Sequence, residues 1–179
     1  MKKIVYWTTI RTTQGKYVVM ATEKGICWVG FHNDSVEKGK EWVASHIKNT
    51  KFIEDESFPV LKEAEKALIE YFGGKKSSFN LAFDLYLSEF QKKILNEMIK
   101  IPFGKTKTYK ELAVSVGNPN ASRAVGMACR TNPVAIFIPC HRVVGSNGKL
   151  TGYAGGLSTK EWLLQLEQGA AGQTSIETF

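Results

Sequence analysis

The sequence predicts an α+β protein in two parts: a small N-terminal α/β domain with a short antiparallel sheet over residues 1–85, then a mostly helical C-terminal domain containing a helix-turn-helix over residues 86–169, with 170–179 as a disordered tail. Three observations carry that prediction. The stretch from Ile4 to Phe31 is rich in β-branched and aromatic residues broken by turn-forming clusters. The second half repeats Ser/Thr-x-x-Glu/Gln pairs just ahead of apolar helical stripes. Between the two lies "GGKKSSFNLAFDLYL", residues 73–87, with the glycine, lysine and serine content of a connector that then runs extended.

The elements follow in order. "IVYWTTI", "KYVVMAT" and "ICWVGF", separated by "TTQG" and "EKG", predict an antiparallel meander. "SVEKGKEWVASHIKN" spaces Val36, Trp42, Val43 and Ile47 helically, and "FPVLKEAEKALIEYF" sets Leu61, Ala64, Leu68 and Phe72 on one stripe, so two helices complete the first part. In the second part Ser88 and Gln91 form a capping box ahead of Phe90, Ile94 and Met98, and Pro102 stops that helix. Thr108 and Glu111 repeat the device before "YKELAVSV", which Gly117 ends; Asn118-Pro119 is expected to cap and open the next helix, running to about Arg130. Two short helices joined by a glycine-containing turn make a helix-turn-helix candidate, with Arg123 near the front of its second helix. Many helical hairpins bind nothing, so this pair alone leaves DNA binding open. A third box, Ser158 with Glu161, and a staple of Leu157 on Trp162 predict a last helix through "STKEWLLQLEQ" to Gly169.

Composition narrows the classes. With 43% apolar and 23% charged residues the chain is globular in type, and no run reaches the roughly 18 apolar residues of a membrane helix. We expect no signal peptide and a cytoplasmic protein. Three cysteines, Cys27, Cys129 and Cys140, without CxxC spacing argue against a disulfide framework and a zinc knuckle. The formal charge of +7 is uneven: residues 1–88 hold 13 basic and 11 acidic side chains (+2), residues 89–179 hold 11 and 6 (+5), so a polyanion contact belongs to the second half.

The chemistry points to "NPVAIFIPCHRVVGSNGKLTGYAGG", Asn132 to Gly156. Side chains of consecutive strand residues face opposite ways, so Cys140 and His141 cooperate only if the backbone turns between them, which Pro139 makes feasible. An adjacent imidazole and cation are expected to lower the thiol pKa and supply an activated nucleophile. A buried inert thiol is the ordinary alternative and describes Cys27 and Cys129. The glycines after Cys140 let backbone groups approach a ligand closely.

"IPCHRV" at 138–143, preceded by "RTNPV" and "ASRAVG" and followed by "GYAGGLSTKEWLLQLE", closely resembles the O6-alkylguanine-DNA alkyltransferases, stand-alone type, over about Phe90 to Glu167. The resemblance implies a single-turnover protein that takes the alkyl group from O6-alkylguanine in double-stranded DNA, and leaves O4-alkylthymine open as a further substrate. Cys140 would be the alkyl acceptor, His141 would take its proton through a water, and Glu167 would orient His141. Asn132 would be the hinge before the reactive segment. Arg123 would fill the gap left by the flipped base, beside Ala121 and Ser122 on the DNA face. Tyr109 would hydrogen-bond the guanine ring and crowd the phosphate, and the base pocket would be formed with Val143, Tyr153, Ala154 and Gly155. The resemblance implies no cofactor, no membrane contact and a monomer. Ala135 stands where many relatives have proline, which should loosen the segment before Cys140. Cys27, His32 and His46 give at most three ligands, too few for the structural zinc of some members, so no metal is expected. Two rivals remain: a non-catalytic sensor of alkylated DNA, whose members replace the cysteine by tryptophan, and a cysteine hydrolase using Cys140, His141 and Glu167, which would need neither Arg123 nor the helix pair.

Overall fold

The computed structural model describes residues 2–75 and 79–169; the tail expected at 170–179 lies outside the described residues. The chain divides into two compact units, Met1–Tyr86 and Leu87–Phe179.

In the first unit three strands, β1 (Lys3–Thr12), β2 (Gly15–Thr22) and β3 (Gly25–Val29), form the expected antiparallel meander. The sheet is larger than the sequence reading allowed. After helix α1 (Val36–His46), residues Thr50–Glu54 form β4, which pairs parallel to β1, with Lys3 opposite Thr50 and Trp7 opposite Glu54. The order is β3-β2-β1-β4, so the sheet is mixed, not purely antiparallel. "TKFIE" was missed because it is short and carries only two apolar residues; its pairing partner lies almost fifty positions away.

Strand alternation sends Val18 and Met20 to one face and Tyr17 and Val19 to the other. The first face packs with Val5, Cys27, Trp28, Val43 of α1 and Ile47 just after it. On the opposite face lies helix α2 (Pro59–Phe72), which buries the predicted stripe Leu61, Ala64, Leu68 and Phe72, with Phe72 5.1 Å from the Tyr17 ring. The exposed edge of β3 is covered by the chain returning from α2: Ile26 N–H donates to Ala82 O (2.9 Å) and Asp84 N–H to Ile26 O (2.9 Å).

The second unit is mostly helical. Helix α3 (Glu89–Ile99) carries the Ser88–Gln91 capping box, and α4 (Tyr109–Ser115) the Thr108–Glu111 box, both with the reciprocal bonds in place. Gly117, at φ 81, closes α4 in a Schellman motif: its N–H donates to Val114 O and that of Asn118 to Ala113 O. Asn118-Pro119 therefore finishes one helix instead of starting the next. Helix α5 (Ser122–Arg130) begins after Ala121, which has no capping side chain. Helix α6 (Leu157–Glu167) also departs from expectation: it starts after Gly156, so Ser158 lies inside the first turn and the Ser158–Glu161 box does not form. Leu157 is 48% exposed while Trp162 is fully buried, so the proposed staple is absent as well. A two-residue parallel ladder joins β5 (Lys107–Thr108) to β6 (Val143–Val144), tying the start of α4 to the chain just after Cys140. Among the described residues no helix is long and apolar enough to cross a membrane.

Gly25 offers a direct test of the covered β3 edge. It sits at φ 146, and a Cβ there would lie 2.4 Å from Ala82 O, a backbone atom with little room to move. Gly25→Ala should destabilise the protein by about 2 kcal/mol or more, read as a lowered urea midpoint; an unchanged midpoint would mean that the 82–84 segment is not docked there.

Candidate active site

The reactive segment begins at the end of α5. Asn132, buried, donates from Nδ2 to Ile138 O (2.8 Å) and accepts from Val134 N–H at Oδ1 (3.0 Å), so one amide pins both ends of the Val134–Ile138 loop. Within that loop Phe137 N–H reaches Ala135 O (2.9 Å) and Ile138 N–H reaches Val134 O (3.0 Å). Ile136, at the centre, has φ 72, a left-handed conformation rare for a β-branched residue. Ala135 is fully buried and its carbonyl accepts the Phe137 N–H that closes the turn.

Pro139 then bends the chain into a 3-10 turn, Cys140–Arg142, and this is the change of direction that separates Cys140 and His141 from strand geometry. All three residues are buried. His141 Nε2 lies 2.6 Å from Glu167 Oε1 at the end of α6, and both side chains are inaccessible. Arg142 forks onto the same carboxylate, Nε at 2.9 Å from Oε2 and Nη2 at 3.0 Å from Oε1, and its Nη1 donates to Ile101 O (2.6 Å). Gly104 N–H adds a fourth donor to Glu167 Oε2 (2.9 Å). The charge of the Arg142 fork thus goes to Glu167.

The cation near the thiol is one the sequence reading passed over. Lys160, on α6, is fully buried, and its Nζ donates to Val143 O (2.5 Å), Thr151 O (3.2 Å) and Gly152 O (3.4 Å). Its signal was faint: a lysine in "STKEW" reads as solvent-facing unless one notes the buried Trp162 and Leu163 that follow closely on the helix.

Electrostatics correct a second expectation. Burial raises the Cys140 thiol above its ordinary value; a hydrogen bond from Asn132 and the Lys160 charge oppose that without reversing it. The resting sulfur is therefore a protonated thiol, not the low-pKa thiolate anticipated from the adjacent histidine and arginine. Burial also pushes His141 below its ordinary value, against the pull of Glu167. For Glu167 burial acts upward, but its bonds to His141 and Arg142 prevail and hold it at about 2. Glu167 is thus ionised and faces Arg142, and neutral His141 donates from Nε2, which leaves the lone pair on Nδ1.

A cavity of about 470 Å³ opens against the thiol. It is lined by Tyr109, Gly126, Cys129, Arg130, Cys140, Thr151, Gly152, Tyr153 and Ala154. Of the predicted pocket residues, Tyr109, Tyr153 and Ala154 are present. Val143 and Gly155 are not among the lining residues; Val143 is fully buried and its carbonyl is taken by Lys160. Gly126, Cys129, Arg130, Thr151 and Gly152 line it without having been expected from the sequence. Cys129 is thus a wall of this cavity, though its thiol is pushed up to about 12 by burial. The Tyr109 hydroxyl donates to Thr151 O (2.9 Å) and burial raises it above its ordinary value, so it stays protonated. At the start of α5, the preceding Ala121 is buried, Ser122 is half-buried and Arg123 is exposed.

The family model for the 6-O-methylguanine DNA methyltransferase DNA binding domain matches residues 89–169, and that for the ribonuclease-like domain of the same methyltransferases matches residues 5–85. The chain is 44% identical over 167 residues to a methylated-DNA--protein-cysteine methyltransferase of Methanosarcina barkeri, covering 92% of this chain and 98% of the relative. It is 34% identical over 175 residues to the inducible one of Bacillus subtilis, covering 98% and 97%. Among solved structures, Mycobacterium tuberculosis OGT in complex with DNA superposes with TM-score 0.76 at 32% identity, covering 95% of this chain and 96% of that one.

The buried charges predict how stability depends on pH. Both His141 and Glu167 bind protons less readily in the folded state. Stability should therefore fall on acidification below about pH 6.5, where the unfolded histidine protonates, and again below about pH 4.3, where the unfolded glutamate does. Urea titrations from pH 8 to 3 read this directly. Glu167→Gln should remove the lower limb and, by leaving Arg142 buried without its carboxylate, cost about 3–5 kcal/mol at neutral pH; a variant as stable as the parent would contradict the pairing.

Proposed function

The chain belongs to the O6-methylguanine DNA methyltransferase family, and from that membership we propose the way its own residues carry out the repair. The reaction is methyl transfer from O6-methylguanine in DNA to a protein cysteine. Cys140 is the acceptor: it is the cysteine at the head of the 3-10 turn, facing the cavity, with the His141–Glu167 pair beside it. That arrangement is the observation that carries the reading.

The damaged base leaves the duplex stack and enters the cavity, at a cost of a few kcal/mol that weakened pairing reduces. His141 Nδ1 accepts the Cys140 proton through a water, and Glu167, kept ionised by Arg142, stabilises the imidazolium that forms. The sulfur attacks the alkyl carbon, the carbon–oxygen bond breaks, and the electron pair leaves with the guanine. The Tyr109 hydroxyl exchanges Thr151 O for the guanine ring and donates a hydrogen bond where negative charge develops. A thioether has no labile bond for water to attack, so each molecule acts once. The raised resting pKa of Cys140 fits this scheme, because the thiol is deprotonated only when His141 and substrate are engaged.

Helices α4 and α5 act as the helix-turn-helix of the C-terminal domain, residues 86–169, with the N-terminal domain in support. Arg123, exposed in the first turn of α5, fills the vacated base stack, with Ala121 and Ser122 alongside. Asn132 is the hinge that joins this DNA-facing helix to the thiol. The partner is duplex DNA with O6-alkylguanine, met by a cytoplasmic monomer. The sensor reading is disfavoured because Cys140 is present, and the hydrolase reading leaves the exposed arginines of α5 without a purpose.

Incubation with a duplex containing O6-methylguanine should add one methylene equivalent to the Cys140 peptide, stoichiometrically and not in Cys140→Ala, by intact and peptide mass. Tight binding with unchanged mass would favour the sensor, and repeated turnover of an ester the hydrolase. Arg123→Ala should slow repair of duplex DNA far more than reaction with a free alkylated base; equal slowing of both would remove Arg123 from the base stack.

A further inference from the structure

Helix α5 has a face that the reaction scheme uses only in part. Its inward side buries Val125, Ala128 and Cys129. Its outward side carries Arg123, Met127 and Arg130 at i, i+4 and i+7, one stripe along the helix. Met127 is 55% exposed at the centre of that stripe, between two cations, and α5 contains no acidic residue. Its neighbours Gly126 and Arg130 line the cavity that holds Cys140, so the stripe runs along the mouth of the site.

An isolated exposed methionine on a protein surface requires no explanation. This one sits where two arginines select a polyanion and repel a basic partner, beside the cavity that Cys140 lines. From this geometry we propose that Met127 is the apolar contact of α5 with duplex DNA, pressing on the base step next to the lesion while Arg123 occupies the vacated stack. The proposal rests on the alkyltransferase reading of the same site. Met127 lies about 6 Å along the helix axis from Arg123, roughly two base steps at 3.4 Å each. It can therefore meet the stack at a different level from the arginine. An unbranched, polarisable side chain adapts to the irregular edge of a disturbed step, and apolar wedges that partly unstack a step are a recurrent device of groove-binding proteins. In this role Met127 lowers the cost of extrusion for a base in a duplex and does nothing for a base already free.

The test uses the full chain and substitutions that preserve helix propensity. Met127→Gln keeps length and removes the apolar end, and Met127→Leu restores it. Single-turnover rates are measured with O6-methylguanine in a duplex and with a free O6-alkylated guanine base. We expect the duplex-to-free-base rate ratio to fall roughly tenfold in Met127→Gln, from loss of a wedge contact, and to recover in Met127→Leu. A ratio unchanged by Met127→Gln overturns the role, as does equal slowing of both reactions, which would mark a folding defect. Absence of alkyl transfer by the unsubstituted protein would overturn the alkyltransferase reading and this proposal together, whereas transfer with an unchanged ratio would overturn this proposal alone.

Discussion

The second unit depends on one carboxylate. Glu167 receives the imidazole of the turn after Pro139, both arms of the buried Arg142 fork and the backbone N–H of half-buried Gly104. Each bond anchors a different stretch of chain: the turn after Cys140, the loop after α3 through Arg142 and Ile101, and α6 itself. A buried ion pair of this kind contributes little net stability, because desolvation offsets much of the attraction, but it makes alternatives with any one partner missing costly. Its effect is to define one geometry. The imidazole is held in one tautomer, donating from Nε2 to Glu167, and the thiol is held in a protonated, low-dielectric resting state.

Strain and compensation meet just before the thiol. Ile136 holds a left-handed backbone that costs of order 1–3 kcal/mol, and Asn132 offsets it with two buried hydrogen bonds across the loop. The strained turn lets Pro139 present Cys140 at the head of the 3-10 turn. Lys160 performs the matching task on the other wall, gathering the carbonyls of Val143, Thr151 and Gly152 so that the glycine-rich segment lies against the cavity. Two buried polar side chains therefore fix the segments on either side of Cys140 in the chain, Asn132 before it and Lys160 after it.

How legible these features were in the sequence depended on the range of the interaction. Capping boxes at Ser88 and Thr108, the stripe on α2 and the three-strand meander are local patterns, and they were readable because their partners lie within a few residues. Failures occurred where local chemistry had a nearby competitor. Ser158 could cap a helix, but Gly156 lets the chain turn earlier; Asn118 could open a helix, but the Schellman closure after Gly117 uses its N–H first. Strand β4 was missed because what defines it is β1, far back in the chain. The thiol pKa was misjudged for a related reason: adjacency in sequence placed Arg142 beside Cys140, while folding turned its charge to Glu167.

By itself, the sequence determined the two-part α+β plan and the helix boundaries with good caps, and it singled out Cys140, His141 and Glu167 as the candidate site, since "IPCHRV" and its flanks are a contiguous and specific signal. Tertiary structure alone decided the lining of the cavity, the burial of Lys160, the fork of Arg142, and the resting protonation of Cys140. The reason is physical. Backbone propensities and caps act over a turn or two of chain, whereas burial and charge pairing depend on which distant segments share a low-dielectric interior, and in that interior the dominant influence on a thiol is its removal from water, not its neighbours in the chain.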